Sequence, residues 1–133
     1  MPQKANPEYD LFQLSEEHEA LREAVRSLAA DKIAPRAAEI DETGEFPKDV
    51  YEALVAAGFH AIHIPEEYGG EGGDQLASCI VAEEVARVCG SSSLIPAVNK
   101  LGTTPLLVGA SQDVKQRYLS EVASGEAMFS YAL

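Results

Sequence analysis

Tryptophan is absent from this 133-residue chain and aromatic residues reach only 7% of it. Strand-rich cores lean on aromatic and β-branched residues, so their scarcity beside abundant alanine favours close-packed helices. Basic residues are also few: 10 Lys and Arg against 22 Asp and Glu leave a net charge of −12. A field of that sign repels nucleic acid, and it disfavours an anionic membrane surface for the same reason. Cysteine is limited to Cys79 and Cys89. On one helix, ten residues separate two positions by roughly 15 Å, too far for a disulfide. Two unpaired thiols suit a reducing compartment, and the expected location is the cytoplasm. No stretch approaches the ~20 apolar residues of a membrane span. The opening Met1–Asp10 is polar, contains Pro2 and Pro7, and lacks the apolar core of a secretory signal.

What remains is one domain's length of chain with an ordinary 46% of hydrophobic residues. Residues 1–13 read as an irregular arm. Ser15 is placed as an N-cap, followed by Glu16 and Glu17 where the helix dipole favours acids. Leu21, Val25, Leu28, Ala29 and Ile33 then recur at helical spacing. Pro35 is expected to kink or end this helix, with a short turn through Ala37 and Ile40 before a loop at Thr43 and Gly44. Pro47 suits the first position of a second helix and Gly58 its stop, with Val50, Tyr51, Leu54 and Ala57 facing the core. Residues 59–64 read as extended, and Pro65–Gly73, with four glycines, as a loop.

Asp74 caps a third predicted helix running to about Val88. Its first half, Leu76 to Ala82, is apolar almost all round, which predicts burial on most sides. Glu83 and Glu84 are expected to pair with Arg87 along an exposed face. Ser91–Ser93 start a fourth helical stretch, in which Pro96 is tolerable only within the first turn. Gly102–Thr104 are expected to interrupt it and Pro105 to restart it. Ser111 caps a last helix with Val114, Tyr118, Leu119 and Val122 on its inner face. The final residues, Ala127–Leu133, read as a strand. Nothing else in the chain pairs with it, and unpaired backbone groups call for a sheet, which points to a following β domain. The expected fold is therefore all-α: an up-and-down helical bundle over residues 14–126, then a terminal β-strand, 127–133, belonging to that domain.

Three groups of residues invite functional readings. The loop Glu66-Glu67-Tyr68-Gly69-Gly70-Glu71-Gly72-Gly73 lacks both the lysine of a P-loop and the dinucleotide-binding glycine spacing, and its three carboxylates repel phosphate. A structural turn with positive φ angles is the better account. His60 and His63 on an extended segment point to opposite faces, and completing a zinc site with His18 would need a coincidence of folding, so no metal site is expected. Glu83 and Glu84 have no visible acid–base partner or cleft, and a surface or salt-bridged role is expected.

Several segments, in order, resemble the acyl-CoA dehydrogenase family. They are Leu14-Ser15-Glu16-Glu17-His18 through Ile33-Ala34-Pro35-Arg36-Ala37; Gly58-Phe59 followed by Ile64-Pro65-Glu66-Glu67-Tyr68-Gly69-Gly70; Glu83-Glu84-Val85-Ala86-Arg87; Leu101-Gly102-Thr103-Thr104-Pro105-Leu106-Leu107; Lys115-Gln116-Arg117-Tyr118-Leu119; and Ser124-Gly125-Glu126 with Phe129-Ser130-Tyr131-Ala132-Leu133. Together they cover the chain from about Asp10 to Leu133.

The resemblance implies an FAD-dependent enzyme that desaturates acyl-CoA thioesters between the α and β carbons. A carboxylate base takes the α-proton, FAD takes the β-hydrogen as hydride, and an electron-transferring flavoprotein reoxidises the flavin. The family's base lies in a later domain, so no catalytic residue is assigned and the isolated chain is expected to be inactive. Tyr131, Ala132 and Leu133 match the first places of the family's flavin-binding stretch, with Ala132 where Cys is frequent; they are candidate flavin contacts through backbone groups. The stretch Ser91–Leu101 corresponds to a helix lining the acyl tunnel, which makes Ser93, Ala97 and Leu101 candidate substrate contacts against an alternative of ordinary helix packing. Pro96 departs from the pattern; if the register holds, Pro96 and Ala97 would set tunnel depth. A homo-oligomer is expected. Coenzyme A is itself an anion, so its phosphates should lie away from most of this acidic surface. The alternative readings are a non-enzymatic helical module docking onto a separate flavin-bearing subunit, and a related acyl-CoA oxidase or nitroalkane oxidase.

Overall fold

Ser15 opens the first helix as its position predicts: its Oγ accepts from the backbone N–H of His18 at 3.2 Å, and Glu16, Glu17 and Glu19 occupy the first turn. The structure, a computed structural model, describes residues 13–132; the expected arm 1–13 lies almost entirely outside them. Helix α1 spans Glu16–Leu28. It does not stop before Pro35. The backbone widens into a π turn, Ala29–Ile33, tightens into a 3-10 turn, Ala34–Arg36, and resumes as α2, Ala37–Thr43. Proline has no N–H to give and its ring crowds the carbonyl four residues back, so the irregular turns keep the path helical around it. Gly44, at φ 66°, ends α2.

Helix α3, Lys48–Ala56, begins one residue later than expected, with Pro47 at the N-cap; Val50 and Leu54 are fully buried, and Gly58 in the left-handed region follows its end. The extended reading of residues 59–64 does not hold. Phe59–Ala61 form a 3-10 turn, and the N–H of Ile64 donates to the carbonyl of Ala61 at 3.0 Å. With no neighbouring strand, these backbone groups are satisfied by local turns instead. His60, Ala61, Ile62 and Ile64 all turn inward.

Asp74 caps α4, Gln75–Ala86, accepting from the N–H of Ala77 at 2.7 Å. Ala77, Ile80, Val81, Glu84 and Val85 form its buried face, but Leu76 and Cys79 are exposed, so the helix is not enclosed on most sides. The fourth stretch is a second correction. It is one helix, α5, Gly90–Gly109, running through Pro96, Gly102–Thr104 and Pro105 without a break. Each interior proline costs on the order of 3 kcal/mol in an isolated helix. Here α5 packs along α4, against the Phe59–Ala61 turn and against α6, and that packing outweighs the two missing rungs. Helix α6, Gln112–Ala123, buries Leu119 and Val122, while Tyr118, expected inside, is exposed.

Two apolar clusters result. One joins α1, α3, α4 and the start of α5 around Val25, Ile33, Leu54 and Val81; the other joins the 61–68 turns to α6 around Ile64, Tyr68 and Leu119. The helical bundle read from the sequence is therefore the fold. Among the described residues there is no strand: residues 127–132 run without regular secondary structure along the bundle, where the expected strand finds no partner to pair with.

Candidate functional site

The two faces of α5 differ sharply. Ser92, Ile95, Pro96, Asn99 and Thr103 are buried. Ser93, Ala97 and Leu101, four residues apart, share the other side, where residues at that spacing stack one above the next. Ser93 is half-buried, with its Oγ donating to the carbonyl of Gly90 at 2.6 Å. Ala97 is exposed and Leu101 is 49% exposed. Leu94 at 59% and Val108 at 81% extend this uncovered apolar surface. Pro96 is buried and does not interrupt the helix. The structure thus brings the three candidate substrate contacts onto one solvent-open face.

Asn99 is the residue that sequence reasoning missed. It is completely buried, and each end of its amide is used. Nδ2 donates to the carbonyl of His60 at 3.1 Å, and Oδ1 accepts from the N–H of Phe129 at 3.1 Å. One side chain therefore joins α5, the 59–61 turn and the segment leaving α6. Gly102, one turn on, allows that segment to lie close: a Cβ there would collide with Phe129. Tyr51 adds a third tie, its hydroxyl donating to the carbonyl of Gly125 at 2.9 Å. Beyond Phe129 the ties end. Among the described residues no hydrogen bond engages the backbone of Ser130, Tyr131 or Ala132, and Tyr131 is 52% exposed. Leu133 lies outside the described residues. An Asn set in an apolar helix is the only sequence trace of this latch, and it reads equally well as a surface residue.

His60 and His63 are packed rather than poised, while His18 sits at the surface with Ser15 and Asp74. The Nε2–H of His60 donates to the carbonyl of Val122 at 2.8 Å, and that of His63 donates to Thr103 Oγ1 at 2.6 Å. Thr103 in turn donates to the carbonyl of Asn99 at 2.7 Å. Burial, then the nearby Lys100 and His60, push the His63 pKa down to about 4. Among the described residues no group of three or more His, Cys, Asp or Glu is arranged to hold a metal. The glycine loop is a turn, with Gly69 and Gly72 at positive φ. Gly70 is required by contact instead, since a Cβ there would strike the carbonyl of Ile64.

Glu84 is not on an exposed face. It is 2% exposed, with Arg26 donating to both carboxylate oxygens at 3.0 and 2.8 Å and Arg87 donating at 2.7 Å. The hydrogen bonds from Arg26, opposed by burial and aided by Arg87, hold its pKa at about 2. It is a fully engaged structural anion between α1 and α4, and Glu83 alone takes the exposed position.

Two concavities flank α5. A groove of about 430 Å³ lies between the Gly44–Pro47 loop, Leu94 and Val98 of α5, and Met128–Ser130. A smaller cavity of about 210 Å³ lies between α4 and α5, with Ala97 and Lys100 on one wall and Ser78, Cys79 and Ala82 on the other.

Comparison with known proteins places this geometry. The family model "Acyl-CoA dehydrogenase, N-terminal domain" matches residues 15–126. A probable acyl-CoA dehydrogenase of Mycobacterium tuberculosis is 56% identical over 128 residues, which is 96% of this chain and 33% of the relative. Another from Bacillus subtilis is 40% identical over 123 residues, covering 92% of this chain and 32% of the relative. A solved chain described as the electron transferring flavoprotein of Acidaminococcus fermentans superposes with a TM-score of 0.81 at 29% identity, over 88% of this chain and 31% of that one. The chain spans about one third of the length of the curated relatives it matches. By the match over residues 15–126, and by the order of helices that produces it, the chain belongs to the acyl-CoA dehydrogenase family and carries that family's N-terminal domain.

Proposed function

We propose that this chain forms one wall of the acyl and flavin cavity of an FAD-dependent acyl-CoA dehydrogenase, which desaturates acyl-CoA thioesters between the α and β carbons in fatty or branched-chain acyl catabolism. The observation that carries this reading is the uncovered apolar surface of α5, Leu94, Ala97 and Leu101, on a helix whose opposite face is buried. A row of that kind suits an alkyl chain, which gains roughly 0.8 kcal/mol for each CH2 removed from water. Ser93, Ala97 and Leu101 would line the acyl tail. Tyr131, Ala132 and Leu133 would meet the flavin.

The residues present fit the rim of a flavin. Ser130–Ala132 leave backbone donors and acceptors unengaged among the described residues, beside the exposed ring of Tyr131. When bound, the flavin supplies the hydride acceptor. The work of this chain is to shape the cavity, exclude water along α5 and fix the approach of residues 130–132 through Asn99. The proton-abstracting carboxylate would come from outside these residues, residues 127–133 would enter a β domain, and an electron-transferring flavoprotein would take the electrons. No helix among the described residues is long and apolar enough to cross a membrane. Exposed Cys79 and buried Cys89 are both free, in keeping with a reducing cytoplasm.

The test is a fusion in which these 133 residues replace the matching segment of the Mycobacterium tuberculosis relative. The purified fusion should carry stoichiometric FAD that bleaches when a fatty acyl-CoA is added, while the 133-residue chain alone should stay colourless after incubation with FAD. A folded fusion without flavin, or a short chain that retains it, would overturn the reading.

A further inference from the structure

Lys100 stands on α5 one turn beyond Ala97, and its ammonium turns toward α4, donating to Ser78 Oγ at 2.7 Å. Among the described residues it has no ion-pair partner, in a chain where acids outnumber bases by more than two to one. Burial lowers its pKa, while Cys79 and Asp74 pull the other way. It borders the cavity of about 210 Å³ between α4 and α5, whose apolar walls are Ile62, Ala82, Pro96 and Ala97. His63 shares the cavity, and with a pKa of about 4 it is neutral near pH 7. Lys100 is therefore the positive charge there.

We propose that this cavity binds the carboxylate end of a short apolar chain, with Lys100 pairing to the carboxylate and Ile62, Ala82, Pro96 and Ala97 enclosing the methylenes. An anion meeting a half-buried cation gains more than it would in open water. Elsewhere the net charge of the molecule repels it. The volume of about 210 Å³ corresponds to roughly seven water-sized groups at about 30 Å³ each, which suits a carboxylate of about seven or eight heavy atoms, the size of hexanoate. Two sources share this chemistry. One is a free short-chain carboxylate. The other is the far end of an ω-carboxyacyl thioester entering past Ala97, and this second source rests on the acyl-cavity reading.

Calorimetric titration of the 133-residue chain with hexanoate and with 1-hexanol at pH 7 tests the site. Hexanoate should bind at least tenfold more tightly. Lys100→Met should erase the difference, Lys100→Arg should keep it within threefold, and Ala97→Phe should abolish both by filling the cavity, with circular dichroism confirming that each variant is folded. Equal affinity for the acid and the alcohol, or hexanoate binding unchanged in Lys100→Met, would overturn the proposal. The source is then read from the flavin-loaded fusion. A Lys100-dependent preference for adipyl-CoA over hexanoyl-CoA assigns the site to an acyl tail, and Lys100-dependent hexanoate binding without that preference assigns it to a free carboxylate. If the fusion holds no flavin, the acyl-cavity reading fails, while the titration still decides the cavity.

Discussion

Asn99 and Glu84 are both polar residues turned into the bundle, and both are fully used. Removing Asn99 leaves buried partners without a match, which costs more than the lost bond itself, whereas the arginines that Glu84 engages can still reach water. Asn99→Ala strands the carbonyl of His60 and the N–H of Phe129, and should lower stability by about 2–3 kcal/mol by urea unfolding. Its more specific mark would be faster hydrogen exchange at the Phe129 amide, measured by NMR, with the α1 amides unaffected. Glu84→Gln should cost about 2 kcal/mol, reduced because Arg26 and Arg87 are half-exposed. Two groups with strongly lowered pKa, His63 and Glu84, shape how stability responds to acid, and Asp74, lowered by the Ala77 N–H and His18, adds to the lower window. His63 has a depressed folded pKa, so the unfolded chain binds the extra proton, and stability should fall as pH drops from 6.5 toward about 4. Glu84 is depressed as well. Its contribution is whole above 4.5 and is lost as pH falls toward about 2. Melting temperature against pH should therefore decline in two stages, and His63→Gln should flatten the upper one alone. A single-stage decline in the parent chain would contradict this assignment.

At the level of elements, the helices with clear caps and clear periodicity were legible. Ser15, Asp74 and the repeat of Val25, Ala29 and Ile33 carry their own instructions, because capping and amphipathicity are local properties. Misreadings fell where tertiary packing overrode a local rule. Pro96 and Pro105 argue for breaks, yet α5 is continuous because two helices and a turn hold it. Residues 59–64 have strand-like composition, yet lack a strand to pair with and coil into turns. Glu84 and Arg87 look like a surface pair until α1 brings Arg26 to them, a partner 58 residues away. Of the candidate site, Ser93, Ala97 and Leu101 came from the family resemblance, and helical geometry then places i, i+4 and i+8 on one face. Asn99 and Lys100 could not, because their roles depend on what packs opposite. In the fusion protein, Leu101→Asp should raise the KM for acyl-CoA at least tenfold with flavin content unchanged, since it places a charge on the face assigned to the tail. An unchanged KM would mean that the tail lies elsewhere.

The molecule as a whole combines a strongly acidic surface with a concentrated apolar area on α5 and residues 128–131. Charge of one sign opposes self-association, and uncovered apolar area favours it. Salt screens the first and not the second. The 133-residue chain should therefore associate more at 0.5 M NaCl than at 0.05 M by sedimentation velocity, and removing residues 127–133, of which Ser130–Ala132 leave their backbone unengaged among the described residues, should abolish the association. Association that survives this trimming would place the contact on the α5 face.

The latch at Asn99 also sets a clock for synthesis. Its two partners lie 39 residues before it and 30 residues after it. At about 5–20 residues per second on a ribosome, the His60 carbonyl has been made before Asn99 emerges, but the Phe129 amide follows by roughly two to six seconds. In that interval the bundle can gather around α5 with half of the amide facing water. Seating of Phe129 then becomes the closing event, and whatever residues follow it are delivered to a surface that has already set.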